Sequence, residues 1–75
     1  MSEIEFLTFT SEELLVEQNT INLQTVFRDI PRWSSLNALI YISRLREEYS
    51  VIISSRQLSE SVTLNDIYQI ILASK

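Results

Sequence analysis

Ser34 and Ser35 follow Pro31-Arg32-Trp33 and lead into an amphipathic run from Asn37 to Tyr49. Ser and Thr are favoured at helix N-caps because the side-chain oxygen accepts a hydrogen bond from a free backbone N–H. The spacing predicts Ser34 as the cap and Ser35 in the first turn. A hydroxyl placed there sits at the positive end of the helix dipole, beside unpaired N–H groups that favour a phosphate. Ser35 is therefore read as the site of a covalent, phosphate-linked modification. A first-turn serine taken alone is more often a capping aid, so the surrounding chain has to carry this reading.

The other residues that could do chemistry argue against catalysis. A serine nucleophile needs a base, yet there is no His and the only lysine is Lys75. Glu12 with Glu13 and Glu47 with Glu48 are adjacent pairs, and neighbours on a helix do not face each other. The absence of Cys removes thiol chemistry, disulfides and Cys-based metal sites. A calcium or magnesium cage wants clustered oxygens around a tight turn, and no such loop is present. Gly is absent, which removes phosphate-binding and dinucleotide fingerprints. The expectation is a protein without catalytic machinery, resident metal or metal ligands of its own.

Seventy-five residues predict a single domain, 1–75, near the lower limit for folding without a metal or disulfide. A hydrophobic fraction of 45% suffices for a small core and is too high for a disordered chain. Net charge is −4, and residues 1–19 hold Glu3, Glu5, Glu12, Glu13 and Glu17 with no base. An acidic chain with no basic cluster is poorly suited to nucleic acid. The longest apolar run, Ala38 to Ile42, is too short to span a membrane, and the acidic start is unlike a signal peptide. A cytoplasmic monomer that does not insert into membranes is expected.

Four elements must position the serines. Residues 3–17 are expected to form one helix, opened by a Ser2/Glu5 capping box and with Ile4, Leu7, Leu14 and Leu15 on one face. A second box, Thr10 with Glu13, leaves a shorter helix starting near Ser11 as the alternative. Residues 18–32 read as a long connection anchored by Phe27 and Ile30, with Asp29-Ile30-Pro31 extended. The helix from Ser35 to Tyr49 is expected to bury Leu39, Ile42, Leu45 and Tyr49, leaving Leu36 and Ile40 at the edge. Val51 and Ile53 drop into the core from an extended linker, and Ser54 or Ser55 caps a short helix through Glu60 with Leu58 inward. Thr63 with Asp66 opens a last helix from Leu64 to about Ser74, presenting Leu64, Ile67, Tyr68, Ile71 and Leu72, with Lys75 complementing its end. The fold class is all-α: three main helices and one short one.

Three stretches together resemble the acyl carrier protein family, which includes the peptidyl and aryl carrier domains. Phe27-Arg28-Asp29-Ile30-Pro31-Arg32-Trp33-Ser34-Ser35-Leu36 is similar to the family's loop ending in W-D-S-L. Leu45-Arg46-Glu47-Glu48-Tyr49-Ser50-Val51-Ile52-Ile53 resembles its L-E-E-E-F-x-V-x-I close, and Ser61-Val62-Thr63-Leu64-Asn65-Asp66-Ile67 its x-T-V-x-D-L opening of the last helix. The matched stretches run in the family's order over more than half of the chain.

The resemblance implies an antiparallel four-helix bundle in which Ser35 receives 4′-phosphopantetheine from coenzyme A. A phosphopantetheinyl transferase, normally with magnesium, would install the arm. Acyl or aminoacyl groups would ride on its thiol as thioesters and pass between loading, transfer and synthase enzymes. A domain lacking Cys and His has no other source of that thiol. The implied docking residues are Ser34, Leu36, Ile40, Ser43 and Arg44. Two departures stand out. Ser34 occupies the place of the usual Asp, retaining the cap without its charge. The central helix carries Arg44, Arg46, Glu47 and Glu48, which cancel, where the family is often acidic. These departures point to a specialised partner set and keep open the alternative of an unmodified, carrier-like interaction module.

Overall fold

Hydroxyl caps divide the chain into its elements. Ser2, Ser34, Ser54 and Thr63 each accept a hydrogen bond from the amide three residues on, at 3.1, 3.1, 3.0 and 3.4 Å. At Ser2, Ser54 and Thr63 the side chain of Glu5, Gln57 or Asp66 returns the bond to the cap's own amide. Each reciprocal pair satisfies two N–H groups that a helix start leaves unpaired. The computed structural model describes residues 1–74. It contains α1 (Glu3–Glu13), α2 (Ser35–Tyr49), α3 (Ser55–Glu60) and α4 (Leu64–Ala73), with no strand among the described residues. The result is a small all-helical bundle; Lys75 and its expected role lie outside the described residues.

The core draws on all four helices and both linkers. Phe6, Phe27, Leu45, Leu64, Ile67 and Ile71 are fully buried, and Val51 and Ile53 enter from the extended linker as expected. Aromatic rings stitch the elements together. Phe6 meets Tyr68 of α4 at 5.3 Å, while Phe9 meets Tyr41 and Tyr49 of α2 at 5.6 and 5.5 Å. Tilted and edge-on rings at these separations contribute roughly 0.5–1.5 kcal/mol each beyond burial.

α1 is shorter than the sequence predicts and turns a different face inward. It stops at Glu13, not Glu17, because Leu14 goes into the core and Leu15 adopts a left-handed conformation at φ 52°. The Val16 amide then bonds back to the Ser11 carbonyl at 3.0 Å, closing the end. The buried face is Phe6, Phe9, Thr10 and Ser11, whereas Ile4 and Leu15 of the expected stripe are exposed. The Thr10/Glu13 box does not form, because the Thr10 hydroxyl bonds the buried Tyr41 hydroxyl at 2.8 Å.

α2 is likewise rotated from expectation. Ala38, Tyr41 and Leu45 form its buried stripe, Ile42 and Tyr49 are half-buried, and Leu39 is 58% exposed. Placing the stripe on Leu39, Ile42, Leu45 and Tyr49 left out Tyr41, whose hydroxyl is accommodated in the core because Thr10 meets it.

The connection over 18–32 holds two short 3-10 turns, Gln18–Thr20 and Phe27–Asp29. Ile21, Phe27 and Ile30 anchor it in the core. It also seals the start of α4. The Leu64 and Asn65 amides donate to the carbonyls of Thr25 (2.9 Å) and Leu23 (2.8 Å), beside an isolated bridge between Val26 and Thr63.

Candidate functional site

Ser35 owes its position to the loop ahead of it. Phe27 and Ile30 are buried, and the chain reverses over Ile30–Trp33, where the Trp33 amide donates to the Ile30 carbonyl at 2.9 Å. Pro31 occupies the turn position that its fixed φ suits. Trp33 then packs edge-on against Phe27 at 4.6 Å and against Tyr41 at 6.0 Å. The Asn37 side chain holds the turn by donating to the Arg32 carbonyl. Extended backbone at Ser34 (φ −154°, ψ 171°) starts α2 as expected.

Ser35 is the first residue of this 15-residue helix and is exposed. Its side chain makes no hydrogen bond to any described residue. The α2 start differs from that of α4: Ser34 serves the third amide, while the amides of Ser35 and Leu36 have no partner among the described residues. The hydroxyl therefore stands at a helix N-terminus whose third amide is capped and whose first two have no partner among the described residues.

A cleft of about 550 Å³ opens beside it, between α2 and α3. Ser35, Ala38, Leu39 and Ile42 share one face of α2 and form one wall; Ser55, Leu58 and Ser59 of α3 form the other. Trp33 and Arg28 of the loop close one end. Leu39 thus faces this cleft and not the core. Arg28 is fixed by donating to the carbonyls of Ser61 (2.5 Å), Leu58 (3.1 Å) and Ser59 (3.2 Å), and its guanidinium lies over the Phe27 ring at 4.8 Å. Sequence reasoning missed Arg28 and the cleft. The partners of Arg28 lie about 30 residues away, so no local pattern could have revealed them. The spacing of Ser35, Ala38, Leu39 and Ile42 was the available signal for the wall.

The expected docking residues separate into three settings. Ser34 shares the rim of the cleft with Ser35. Leu36, Ile40 and Ser43 lie on a neighbouring exposed stripe of α2, with Leu36 66% and Ile40 46% exposed. Arg44 is held by its own chain, 3.5 Å from Glu13 of α1, 3.5 Å from Glu47 and 2.9 Å from Glu48. Glu48 and then Glu13 hold its guanidinium above its ordinary value. Arg44 thus fastens α2 to the end of α1.

Among the described residues no group of three His, Cys, Asp or Glu could hold a metal ion, and no helix is long and apolar enough to cross a membrane. No family model matches the chain, and no curated protein matches it.

Proposed function

We propose that this chain is a carrier protein of the acyl carrier type, a compact antiparallel bundle whose Ser35 receives 4′-phosphopantetheine. The observation that carries the reading is the setting of Ser35: an exposed hydroxyl without a hydrogen-bond partner, opening a capped helix whose first two amides are unpaired. An attached phosphate would meet those amides and the positive end of the dipole. The motifs of residues 27–68 support it from the sequence side. The chain brings the attachment point; coenzyme A brings the arm and its thiol; a transferase and the loading and transfer enzymes bring the chemistry. On this reading the protein works as a cytoplasmic monomer, where coenzyme A is available.

Intact-protein mass spectrometry after incubation with coenzyme A, magnesium and a broad-specificity transferase tests it. The expected result is a mass gain of one phosphopantetheine arm that disappears in Ser35→Ala. No gain, with the transferase of the source organism included, sinks the carrier reading.

A second reading, an unmodified interaction module, draws on one specific observation. Leu36, Leu39 and Ile40 are 66%, 58% and 46% exposed on neighbouring positions of α2, more apolar surface than a helix facing only water needs. With Ser34 bringing no charge for a transferase to read, that face would carry the function alone.

A further inference from the structure

The cleft between α2 and α3 combines an apolar interior with a single charge. Trp33, Ala38, Leu39, Ile42 and Leu58 supply the apolar surface, and Arg28 is the one charged residue among those described on its lining. The other lining residues are serines, and no carboxylate is among them.

Arg28 is held in place without being neutralised. Its three partners are backbone carbonyls, and no carboxylate lies within 4.0 Å among the described residues. A guanidinium has about five N–H donors; three bonds leave roughly two for another acceptor. Planar, fixed and charged, the group suits a carboxylate better than a neutral acceptor. The cleft's volume of about 550 Å³ falls within the range of roughly 300–1,000 Å³ common to small-molecule sites.

We infer that the cleft is a noncovalent binding site for an amphipathic monocarboxylate, with its apolar body against Trp33, Leu39, Ile42 and Leu58 and its carboxylate on Arg28. The site uses nothing of the Ser35 hydroxyl, although Ser35 stands on its wall, so it is defined for the chain with that residue unmodified. Ligands of the same length with a neutral or cationic end lose the guanidinium contact, and the cationic one is repelled.

The test is titration of the unmodified chain with octanoate, octanol and octylamine, read by fluorescence of its one tryptophan and by amide NMR shifts. Octanoate should saturate, with shifts centred on Arg28, Leu58 and Ser59. Octanol should bind about tenfold more weakly, the value of one charge-assisted hydrogen bond near the low end of its range, and octylamine more weakly still. Arg28→Gln should bring octanoate to the level of octanol. Because Arg28 also holds α3, Ser59→Asp is the second variant: it leaves the three backbone bonds of Arg28 in place, sets a carboxylate beside the guanidinium, and should weaken octanoate more than it weakens octanol. Equal affinity for octanoate and octanol overturns the inference. So does the absence of saturation with octanoate, or shifts that map to Leu36 and Ile40 instead of the cleft.

Discussion

Tyr41 places a phenol hydroxyl in the core with a single partner, the Thr10 hydroxyl at 2.8 Å. Desolvation pushes its pKa well above the ordinary value, offset in part by the Thr10 bond and reinforced by Glu13. A phenol raised on folding contributes stability that is complete below its unfolded value, about 10, and lost as pH rises toward the folded value. The loss approaches 1.4 kcal/mol per pH unit for one proton. Tyr41→Phe should cost about 1–2 kcal/mol near neutrality by leaving Thr10 unpaired, and should lose less stability than the parent between pH 8 and 11. Urea denaturation at the two pH values reads both effects; parallel losses in parent and variant would contradict the assignment. The Tyr49 phenol is also raised, by desolvation and then by Glu5, Glu48 and Glu12, and that share is common to both proteins. Ser34→Asp is the matching test at the site. It keeps the cap and adds charge at the α2 start, an expected gain of about 0.3–1 kcal/mol in thermal unfolding, and on the carrier reading it accelerates arm transfer.

Element boundaries were legible wherever one local interaction decides them. The Ser2, Ser34 and Thr63 caps and the Asp66 return bond all involve residues three apart, so the pattern is complete in a short window. Local contacts likewise govern Asp66: the Val62 and Thr63 amides, and then the Thr63 hydroxyl, hold its carboxylate below the usual range. That contribution is present above the unfolded value near 4 and lost as pH falls through the folded one. Helix ends and faces were less legible because distant groups choose them. Leu15 closes α1 and Ser50 closes α2, both at positive φ in a chain without glycine. Neither residue type announces a left-handed turn. Leu15→Gly and Ser50→Gly should each raise stability by about 0.5–1 kcal/mol, since glycine relieves the Cβ clash at such positions. Both sites are exposed, so little packing is lost, and a fall in melting temperature would show that the side chains matter more than the backbone. The face of α2 depended on the Thr10–Tyr41 meeting, which no helical period contains.

At the scale of the molecule, a radius of gyration of 11.0 Å matches the roughly 11 Å expected for a folded chain of this length. The small domain leaves few spare kcal/mol, so long-range polar ties weigh heavily. Arg28→Met removes three bonds to the end of α3 and should cost about 1–3 kcal/mol in thermal unfolding; an unchanged midpoint would make those contacts incidental. The cleft and these ties were invisible in the sequence, since each joins the loop to residues about 30–40 positions away. The Ser34 cap, by contrast, was readable from a few neighbouring residues, while the reading of Ser35 as a modification site drew on stretches spread over residues 27–68.

The bonds from Leu64 and Asn65 to Thr25 and Leu23 also order events in time. As the ribosome releases the chain, α1 and α2 can collect around their aromatic rings while the connection between them still lacks the donors that hold it. Those donors arrive only with α4. The middle of the connection over 18–32 is therefore completed by residues synthesised about 40 positions after it, whereas the turn over Ile30–Trp33 is closed by its own Trp33 amide and by Asn37. A chain cut before α4 keeps the local bonds around Ser35 and loses those that hold Leu23 and Thr25, so the two ends of one loop mature at different times.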